Sequence, residues 1–379
     1  MHVFLRTALL GAFAFAGGLG GIRATTAASP PPRIVGYLSH WNPADPLPVA
    51  KLDTLILAFA GLHDGRVTLD PATRQRLAWL LAFKRRQPAL KVVVSVGGWG
   101  VGGFSEAAAT PAGRARFADS AAQLLVDTGA GGLDVDWEYP GHHESGIASS
   151  PDDRADYTAL LAAVRAALDR AGAAHGGRHY TLSVAVADGP FVDHIDIAAV
   201  NRQVDWFNLM TYDFVNAMTP TTGHHTGLYA SALTPPDGRT GDRAVRQFLA
   251  AGVPARKLLL GAAFYGREFA DVAPAHDGLY QPYGHFQGML DWPELKRDDI
   301  DRHGYVRHWD AQAQAPWLWN AQTRHFITYE DPASLAAKAA YVRAHHLGGV
   351  MYWEQGEDPQ GELLDDLWRD LHPSQAKTP

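Results

Sequence analysis

The chain has 379 residues and no cysteine. It therefore forms no disulfide, has no thiol for catalysis and offers no cysteine ligand to a metal. Histidine is plentiful, but no His-Glu-x-x-His spacing occurs, and the histidine pairs at 142–143, 224–225 and 345–346 stand in or beside connections rich in glycine and polar residues. We interpret these pairs as solvated loop residues rather than metal ligands. The sequence implies neither a metal nor an organic cofactor.

The sequence also lacks a strong excess of either charge. Its formal net charge is -7, and acidic and basic residues are scattered. This balance argues against nucleic acid or an anionic membrane as the main partner.

Long apolar runs are missing outside the first residues of the chain. Arg6 is followed by an apolar stretch, Thr7 to Ile22, and then by small residues at 24–28, which is the pattern of a secretory signal peptide. A membrane anchor and a disordered start are the alternatives, but the run is short and glycine-rich for a membrane-spanning helix. We expect residues 1–28 to direct export to the periplasm or the outside of the cell. The rest, 29–379, is expected to be soluble and monomeric.

Short apolar runs recur through the rest of the chain, and each is followed by a polar loop and often by a helical pattern. They lie at 33–37, 54–59, 91–96, 132–136, 180–186, 204–210, 257–264 and 348–353. Most are almost continuously apolar, which is typical of parallel strands covered on both faces. Proline-containing helix starts follow several runs, as at Asp70-Pro71, Thr110-Pro111, Ser150 to Asp153 and Asp331-Pro332.

This alternation of strands and helices predicts a (β/α)8 TIM barrel, with an open doubly wound sheet as the alternative. The mature chain is longer than a minimal barrel. The excess lies at 267–326, a segment rich in Tyr, Trp, Gly and Asp without a long helical pattern. We predict that it forms a small α+β subdomain inserted between strands seven and eight.

Aromatic and charged side chains stand at or just after the ends of these runs. The candidate binding residues are Tyr37, Phe59, Trp99, Met210, Tyr212, Asp213, Tyr265, Arg267 and Trp353. The carboxyl ends of barrel strands form the rim where active sites lie. Flat rings suit the faces of sugars, and carboxylates supply acid–base chemistry, so the convergence indicates a carbohydrate site. Core packing explains any one of these aromatics taken alone.

Three acids, Asp134, Asp136 and Glu138, occupy alternate positions at the end of the fourth run. Strand side chains alternate between faces, so all three carboxyl groups should point the same way. Crowded carboxylates raise one another's pKa, and a Glu with a raised pKa can act as a general acid near neutral pH. We expect Glu138 nearest the rim and Asp134 deepest in the barrel.

Five motifs occur in order along the predicted strands. They are Ser-x-Gly-Gly at 95–98, Asp-x-Asp-x-Glu at 134–138, Met-x-Tyr-Asp at 210–213, Phe-Tyr-Gly-Arg at 264–267 and the last strand at 349–353. With them the sequence resembles the family 18 glycoside hydrolases, the chitinase family, over roughly residues 33–370. The segment 267–326 looks like the insertion domain of that family, which deepens the cleft.

The resemblance implies a substrate-assisted, retaining glycosidase, an exception to the scheme with two carboxylates. Glu138 would be the acid and then the base, and Asp136 would hold the substrate acetamido N–H. Tyr212 would orient the acetamido oxygen, Asp213 and Arg267 would bind sugar nearby, and Asp134 would tune Asp136. The implied substrate is chitin or another polysaccharide that contains N-acetylglucosamine.

Two positions depart from the family pattern. The family often has Asp where this chain has Gly131, and many relatives have Trp where it has Met218. We expect the absence of an acid at Gly131 to alter the tuning of the acids at 134–138 rather than to abolish the chemistry. Met218 puts in doubt strong stacking beside the catalytic centre, and with it the preference for substrate length.

Three other functions are considered. One is a lectin that has lost catalysis, although Glu138 is present here, and another is an N-acetylglucosaminidase acting on peptidoglycan or on N-glycan cores. The third is dinucleotide binding, since residues 98–103 match Gly-x-Gly-x-x-Gly after a strand. Trp99 would stand where the backbone must approach the pyrophosphate, and Asp119, the acid at the expected distance, falls inside a predicted helix.

Overall fold

Eight parallel strands close into a barrel in the computed structural model, which describes residues 31–40 and 46–373. They are β1 (Arg33–Leu38), β2 (Thr54–His63), β4 (Lys91–Gly97), β5 (Gly132–Asp136), β6 (Thr181–Val186), β7 (Trp206–Leu209), β8 (Leu258–Ala263) and β14 (Gly349–Trp353), with β3 (Arg66–Thr68) antiparallel to the end of β2. Their order is β1-β14-β8-β7-β6-β5-β4-β2, and pairing of β1 with β2 completes the ring. The predicted barrel is confirmed, and the open sheet is wrong. The expected signal segment, 1–28, lies outside the described residues.

Helices cover the outside of the barrel. They are α1 (Pro71–Phe83), α2 (Phe104–Ala108), α3 (Pro111–Thr128), α4 (Asp153–Ala174), α5 (Ile197–Asn201), α6 (Gly241–Ala250), α8 (Pro332–Ala344) and α9 (Glu362–Leu371). Asp70, Thr110 and Asp331 cap three of them by accepting hydrogen bonds from first-turn backbone N–H groups. None of the helices described in residues 31–40 and 46–373 is long and apolar enough to cross a membrane.

The start of α4 differs from the sequence expectation. The pattern at 150–153 predicts Ser150 as the capping residue, but α4 begins at Asp153 and Asp152 is at its N-cap. The Asp153 carboxylate is buried and accepts hydrogen bonds from Ser105 Oγ (2.6 Å) and from the backbone N–H groups of Gly141 and Ser150 (both 2.9 Å). An acid at this position therefore ties the loop after β5 to the helical layer, a tertiary use that local capping rules do not reveal.

The antiparallel insertion follows directly after β8 and contains a second, five-stranded sheet. Its order is β10-β9-β13-β12-β11, formed by β9 (Tyr265–Ala270), β10 (His285–Asp291), β11 (Val306–Asp310), β12 (Ala315–Asn320) and β13 (His325–Thr328). A short helix, α7 (Trp292–Glu294), follows β10. Phe269, Trp317, Trp319 and Phe326 form its apolar core. The sheet thus extends two residues beyond the predicted 267–326 at each end.

Alternation along β5 separates the apolar layer from the barrel interior. Leu133 and Val135 are fully buried in the cluster between strands and helices. The two acids between and after them, Asp134 and Asp136, are also buried, at 0% and 3% exposure, and by strand alternation they face the opposite way. The interior of the barrel therefore holds carboxyl groups among aromatic and apolar side chains such as Tyr37 and Met351.

Gly97 allows β4 to approach the end of β5 closely. Its φ is +120°, and a Cβ atom there would lie 1.9 Å from the Asp136 carbonyl oxygen. Gly98 N donates to the same oxygen at 2.9 Å. The first glycine of the Ser-x-Gly-Gly motif is thus required by the backbone that carries Asp136.

We predict that Gly97→Ala destabilises the protein by about 3 kcal/mol or more, because the methyl group forces the two strands apart. Gly129→Ala is the control, since Gly129 also has positive φ (+81°) but has no atom within 4 Å of its Cβ position; it should cost only about 1–2 kcal/mol. Urea unfolding measures both. Equal losses in the two variants would contradict this explanation of Gly97.

Candidate active site

Asp134 lies at the centre of a hydrogen-bond network inside the barrel. Its Oδ2 accepts from Tyr37 Oη and Ser95 Oγ (both 2.8 Å), and its Oδ1 accepts from Ser183 Oγ (2.6 Å) and Asn208 Nδ2 (3.1 Å). Burial raises the pKa of Asp134, and these hydrogen bonds oppose the rise. Four donors aimed at one carboxyl group suit its ionised form.

The network follows from strand register. Ser95 on β4 and Ser183 on β6 are the direct neighbours of Asp134 in the parallel ladder. Asn208 on β7 is held by Trp206 Nε1, which donates to its Oδ1 at 3.0 Å. Ser183 and Asn208 were not predicted as site residues. The available signal was a polar residue in the middle of each largely apolar run, at 180–186 and 204–210, in addition to the polar residue near the start of each run.

Asp136 differs from Asp134 in having an oxygen without a partner. The side chain is 3% exposed, and its Oδ1 is buried without a hydrogen bond. Burial, followed by the charges of Glu138 and Asp134, raises the pKa of Asp136 well above its ordinary value. An unsatisfied buried acceptor is costly, so this oxygen is suited to receive a donor from a ligand.

Glu138 stands just beyond the end of β5, nearest the open rim, as the sequence predicted. Burial raises the pKa of Glu138 to about 7; a hydrogen bond from Tyr139 opposes the rise and the charge of Asp213 adds to it. The backbone is held in place because Ser145 Oγ donates to the Glu138 carbonyl oxygen at 2.8 Å. Near neutral pH this group can both give and take a proton.

Tyr212 occupies the rim after β7 and is almost buried, at 8% exposure. Burial, and then the charge of nearby Asp136, raises the pKa of its phenol well above the usual value. Its hydroxyl faces Met351 Sδ at 3.6 Å, a weak acceptor. Tyr212 therefore remains a protonated hydrogen-bond donor across the physiological pH range.

Asp213 joins the loop after β7 to the first strand of the insertion. It accepts from Tyr265 Oη (2.9 Å) and from both Nε (2.9 Å) and Nη2 (2.7 Å) of Arg267. Burial alone would raise the pKa of Asp213, but the His225 imidazole and the Arg267 charge lower it below its ordinary value. Asp213 is thus a permanent anion in a bidentate ion pair.

The histidines at 224–225 contradict the expectation of solvated loop residues. His224 is 4% exposed and His225 is fully buried. His224 Nε2 lies 3.2 Å from Asp310 Oδ2, while His225 Nδ1 lies 3.7 Å from Asp213 Oδ1, beyond hydrogen-bond distance. The insertion covers this loop, which is why the expectation failed; the pair at 345–346 is exposed as expected. Among the described residues, no group of three or more His, Asp or Glu could hold a metal ion.

Aromatic side chains surround the acids. The Trp353 ring lies 5.7 Å from Tyr37 and 5.8 Å from Phe59, measured between ring centroids. Met210 belongs to the same interior cluster. Trp99 lies edge-on to Tyr139 and is 51% exposed, which leaves much of its surface open to solvent. The arrangement offers apolar surface of the kind on which sugar rings stack.

The two departures from the family pattern lie away from this network. Gly131 precedes β5 at the end opposite Glu138, where its N–H donates to the Val92 carbonyl at 2.6 Å. Met218 is 57% exposed on the loop after β7. Neither residue contributes to the hydrogen bonds around Asp134.

The sequence profile of glycosyl hydrolases family 18 matches residues 33–358. The chain belongs to this family. It is 36% identical to chitinase A1 of Niallia circulans over 337 residues, covering 84% of this chain and 48% of that enzyme. It is 31% identical to chitinase B of Serratia marcescens over 367 residues, covering 79% of this chain and 72% of that enzyme. The chain thus spans about half the length of the Niallia relative.

A solved structure is also similar over almost its whole length. The family 18 N-acetylglucosaminidase of Paenibacillus barengoltzii superposes with a TM-score of 0.84 at 41% identity, covering 89% of this chain and 99% of that one. The protein is therefore a family 18 glycosidase of the chitinase type.

We predict that Asp213→Asn lowers the pKa of Glu138 below about 7, because it removes a negative charge that raises that pKa. The measurement is a titration of carboxyl-labelled Glu by ¹³C NMR, with the signal assigned through Glu138→Gln. Asp119→Asn is the control, since Asp119 pairs with Arg170 on the exposed surface. An unchanged or raised pKa in Asp213→Asn would overturn this electrostatic assignment.

Proposed function

We propose that this glycosidase hydrolyses β-1,4-linked N-acetylglucosamine chains with retention of configuration, using the acetamido carbonyl of the substrate as the nucleophile. The observation that carries the proposal is a pair of neighbouring acids in different states. Asp136 Oδ1 is buried without a partner, and the pKa of Glu138 is raised to about 7. One carboxyl group is poised for proton transfer, and its neighbour has a free acceptor.

The first step needs an acid. Glu138 is protonated below about pH 7 and would donate its proton to the glycosidic oxygen as the bond from that oxygen to the anomeric carbon breaks. In the second step the resulting carboxylate would take a proton from water as the water attacks the anomeric carbon. The same group serves as acid and base, and it ends in its starting state.

A protein carboxylate is poorly placed to be the nucleophile. Asp213 is held by Tyr265 and both arms of Arg267, and Asp134 is satisfied by four donors. Retaining glycosidases with a carboxylate nucleophile need a free ionised group facing the acid. Asp136 has an unpartnered oxygen, but burial raises its pKa well above the ordinary value and so disfavours the ionised form that a nucleophile needs. The state of these three acids supports attack by the acetamido oxygen of the substrate, which forms a cyclic oxazolinium ion that water then opens.

Asp136 and Tyr212 would guide that attack. Asp136 Oδ1 can accept the acetamido N–H, and the positive charge of the oxazolinium ion would favour ionisation of this buried carboxyl group. The Tyr212 hydroxyl can donate to the acetamido oxygen and hold it towards the anomeric carbon. These interactions grow as charge develops, so they favour the transition state over the bound substrate.

The chitinase names of the Niallia and Serratia relatives and the open face of Trp99 support chitin or chitooligosaccharides as the substrate. A second candidate is an N-acetylglucosaminidase that acts on short chains. The Paenibacillus barengoltzii relative carries that name, and exposed Met218 replaces a stacking Trp here. Both candidates share the chemistry and differ in the lengths of their products.

We predict that wild-type protein cleaves a defined N-acetylglucosamine hexamer and that Glu138→Gln lowers the rate by at least about 100-fold, because the amide cannot donate the proton. Products are followed over time by mass spectrometry. Glu144→Gln is the control, an exposed acid on the same loop, and should retain activity. Release of monomers from the start favours the N-acetylglucosaminidase, whereas dimers and longer products favour a chitinase.

Three results of this assay would contradict the proposal. Full activity in Glu138→Gln would remove the proposed acid. Binding of the hexamer by wild type without cleavage would favour a lectin. Neither binding nor cleavage would exclude chitin-like chains and direct the assay to peptidoglycan and N-glycan cores.

We also propose that residues 1–28 direct export, on the support of Arg6 and the apolar stretch that follows. Expression of the full chain in a bacterial host should yield protein outside the cytoplasm whose amino-terminal sequence begins after the small residues at 24–28. Uncleaved protein that stays in the cytoplasm would contradict this proposal.

A further inference from the structure

The backbone that carries Tyr212 and Asp213 leaves the barrel sheet just before these residues. The last pair in the ladder between β7 and β8 is Leu209 with Leu260. Beyond it the Thr211 side chain takes over, since its Oγ1 accepts from Gly261 N (2.8 Å) and lies 2.9 Å from the Gly261 carbonyl oxygen, to which it donates. A side-chain contact thus replaces the missing backbone pair.

Thr226, on the returning part of the loop after β7, holds the same residue from the other side. Its hydroxyl lies 2.9 Å from the Thr211 carbonyl oxygen and 3.1 Å from Glu330 Oε1. Thr226 is 4% exposed, so water does not compete for these bonds. The position of the Thr211 carbonyl sets the path of the backbone into Tyr212.

A buried ion pair stands behind this threonine. Lys338 on α8 and Glu330 just before it are at most 1% exposed and bond to each other. Lys338 Nζ also donates to Thr226 Oγ1 and to the Gly261 carbonyl oxygen (2.9 Å). Glu330 accepts further bonds from Ala263 N and Ser334 Oγ, both at 3.1 Å. Every hydrogen of the ammonium group has an acceptor.

Stability alone is a weak explanation for such a pair, because apolar residues of similar volume are often as stabilising as a buried salt bridge. The chemistry of Lys338 gives a second explanation. An ammonium group has only donors, so Thr226 Oγ1 must act as its acceptor. The single hydroxyl hydrogen of Thr226 is then directed away from Lys338, towards the Thr211 carbonyl or Glu330.

We infer that the Lys338–Glu330 pair, acting through Thr226, positions the backbone of Tyr212 and Asp213 for catalysis. The inference rests on the role proposed above for Tyr212 and makes Thr226, Glu330 and Lys338 positioning residues. Their side-chain hydrogen bonds go to Thr211, Gly261, Ala263, Ser334 and one another, and not to the acids on β5. Their effect on the reaction should therefore be transmitted through Tyr212.

The test is a double-mutant cycle between Thr226→Val and Tyr212→Phe, which measures whether the two residues act together. Valine keeps the shape of threonine and removes the hydroxyl. We expect Thr226→Val to lower kcat on the hexamer by about tenfold with little change in KM, since a small misplacement of a catalytic group has effects of this order. In the Tyr212→Phe background, Thr226→Val should lower kcat by less than about twofold.

Two control variants separate positioning from stability. Thr226→Ser keeps the hydroxyl and should restore most of kcat. Thr222→Val removes another buried hydroxyl, which donates to the Gly278 carbonyl in the insertion at 2.5 Å, and should leave kcat unchanged in both backgrounds. If Thr226→Val does not fold, Glu330→Gln is taken through the same cycle, because it keeps the shape of the pair and removes one charge.

An equal loss of kcat from Thr226→Val in both backgrounds would overturn the positioning role while leaving that of Tyr212 intact. No loss in either background would overturn it as well. If Tyr212→Phe itself leaves kcat unchanged, the proposed role of Tyr212 is wrong and this inference fails with it. The hydrolase proposal is judged separately, by the loss of cleavage in Glu138→Gln.

Discussion

Three carboxyl groups at alternate positions, two on a buried strand and one just beyond its end, repel one another unless their protonation states and partners differ. In this barrel the difference is set by what surrounds each group along β5. Asp134 has four donors, Asp136 has an oxygen without a partner, and Glu138 has a pKa raised to about 7 close to the rim. Burial is the largest cause of the pKa shift in all three. Burial acts alike on the three acids, and the partners of each group give it a separate role: Asp134 is held by four donors, Asp136 keeps a free acceptor and Glu138 can carry a proton.

The insertion contributes charged and hydrogen-bonding side chains to the site. Its first strand supplies Tyr265 and Arg267, which hold Asp213 at the rim, and the negative charge of Asp213 helps to raise the pKa of Glu138. Asp213 lies on the loop after β7. Further along this loop, His225 N donates to Thr328 of the insertion, and Thr226 contacts the ion pair of Lys338 and Glu330. Elements distant in sequence therefore converge on the segment around Tyr212, and the insertion is part of the site rather than an addition to it.

Much of the barrel could be predicted because its strands are almost continuously apolar and most are followed, at or near their ends, by an aromatic or charged residue. The acids on β5 were visible for the same reason, since polar residues at every second position of an apolar strand must share one face. The partners of Asp134 were not visible, because Ser183 and Asn208 are ordinary residues until the strand register places them beside it. Lys338 and Glu330 were missed since each looks like a surface residue on an amphipathic helix or at its start. The burial of His225 depends on a tertiary contact with the insertion, which no local pattern encodes.

The central claim is that the acetamido group of the substrate, rather than a protein carboxylate, attacks the anomeric carbon. It is tested most directly with chitobiose glycosides whose acetamido methyl group is successively fluorinated, since each fluorine withdraws electrons from the carbonyl oxygen and weakens it as a nucleophile. The account predicts that kcat falls steeply with each fluorine and that the first product is the β-anomer. A rate that does not depend on fluorination, or an α-anomer as the first product, would contradict it.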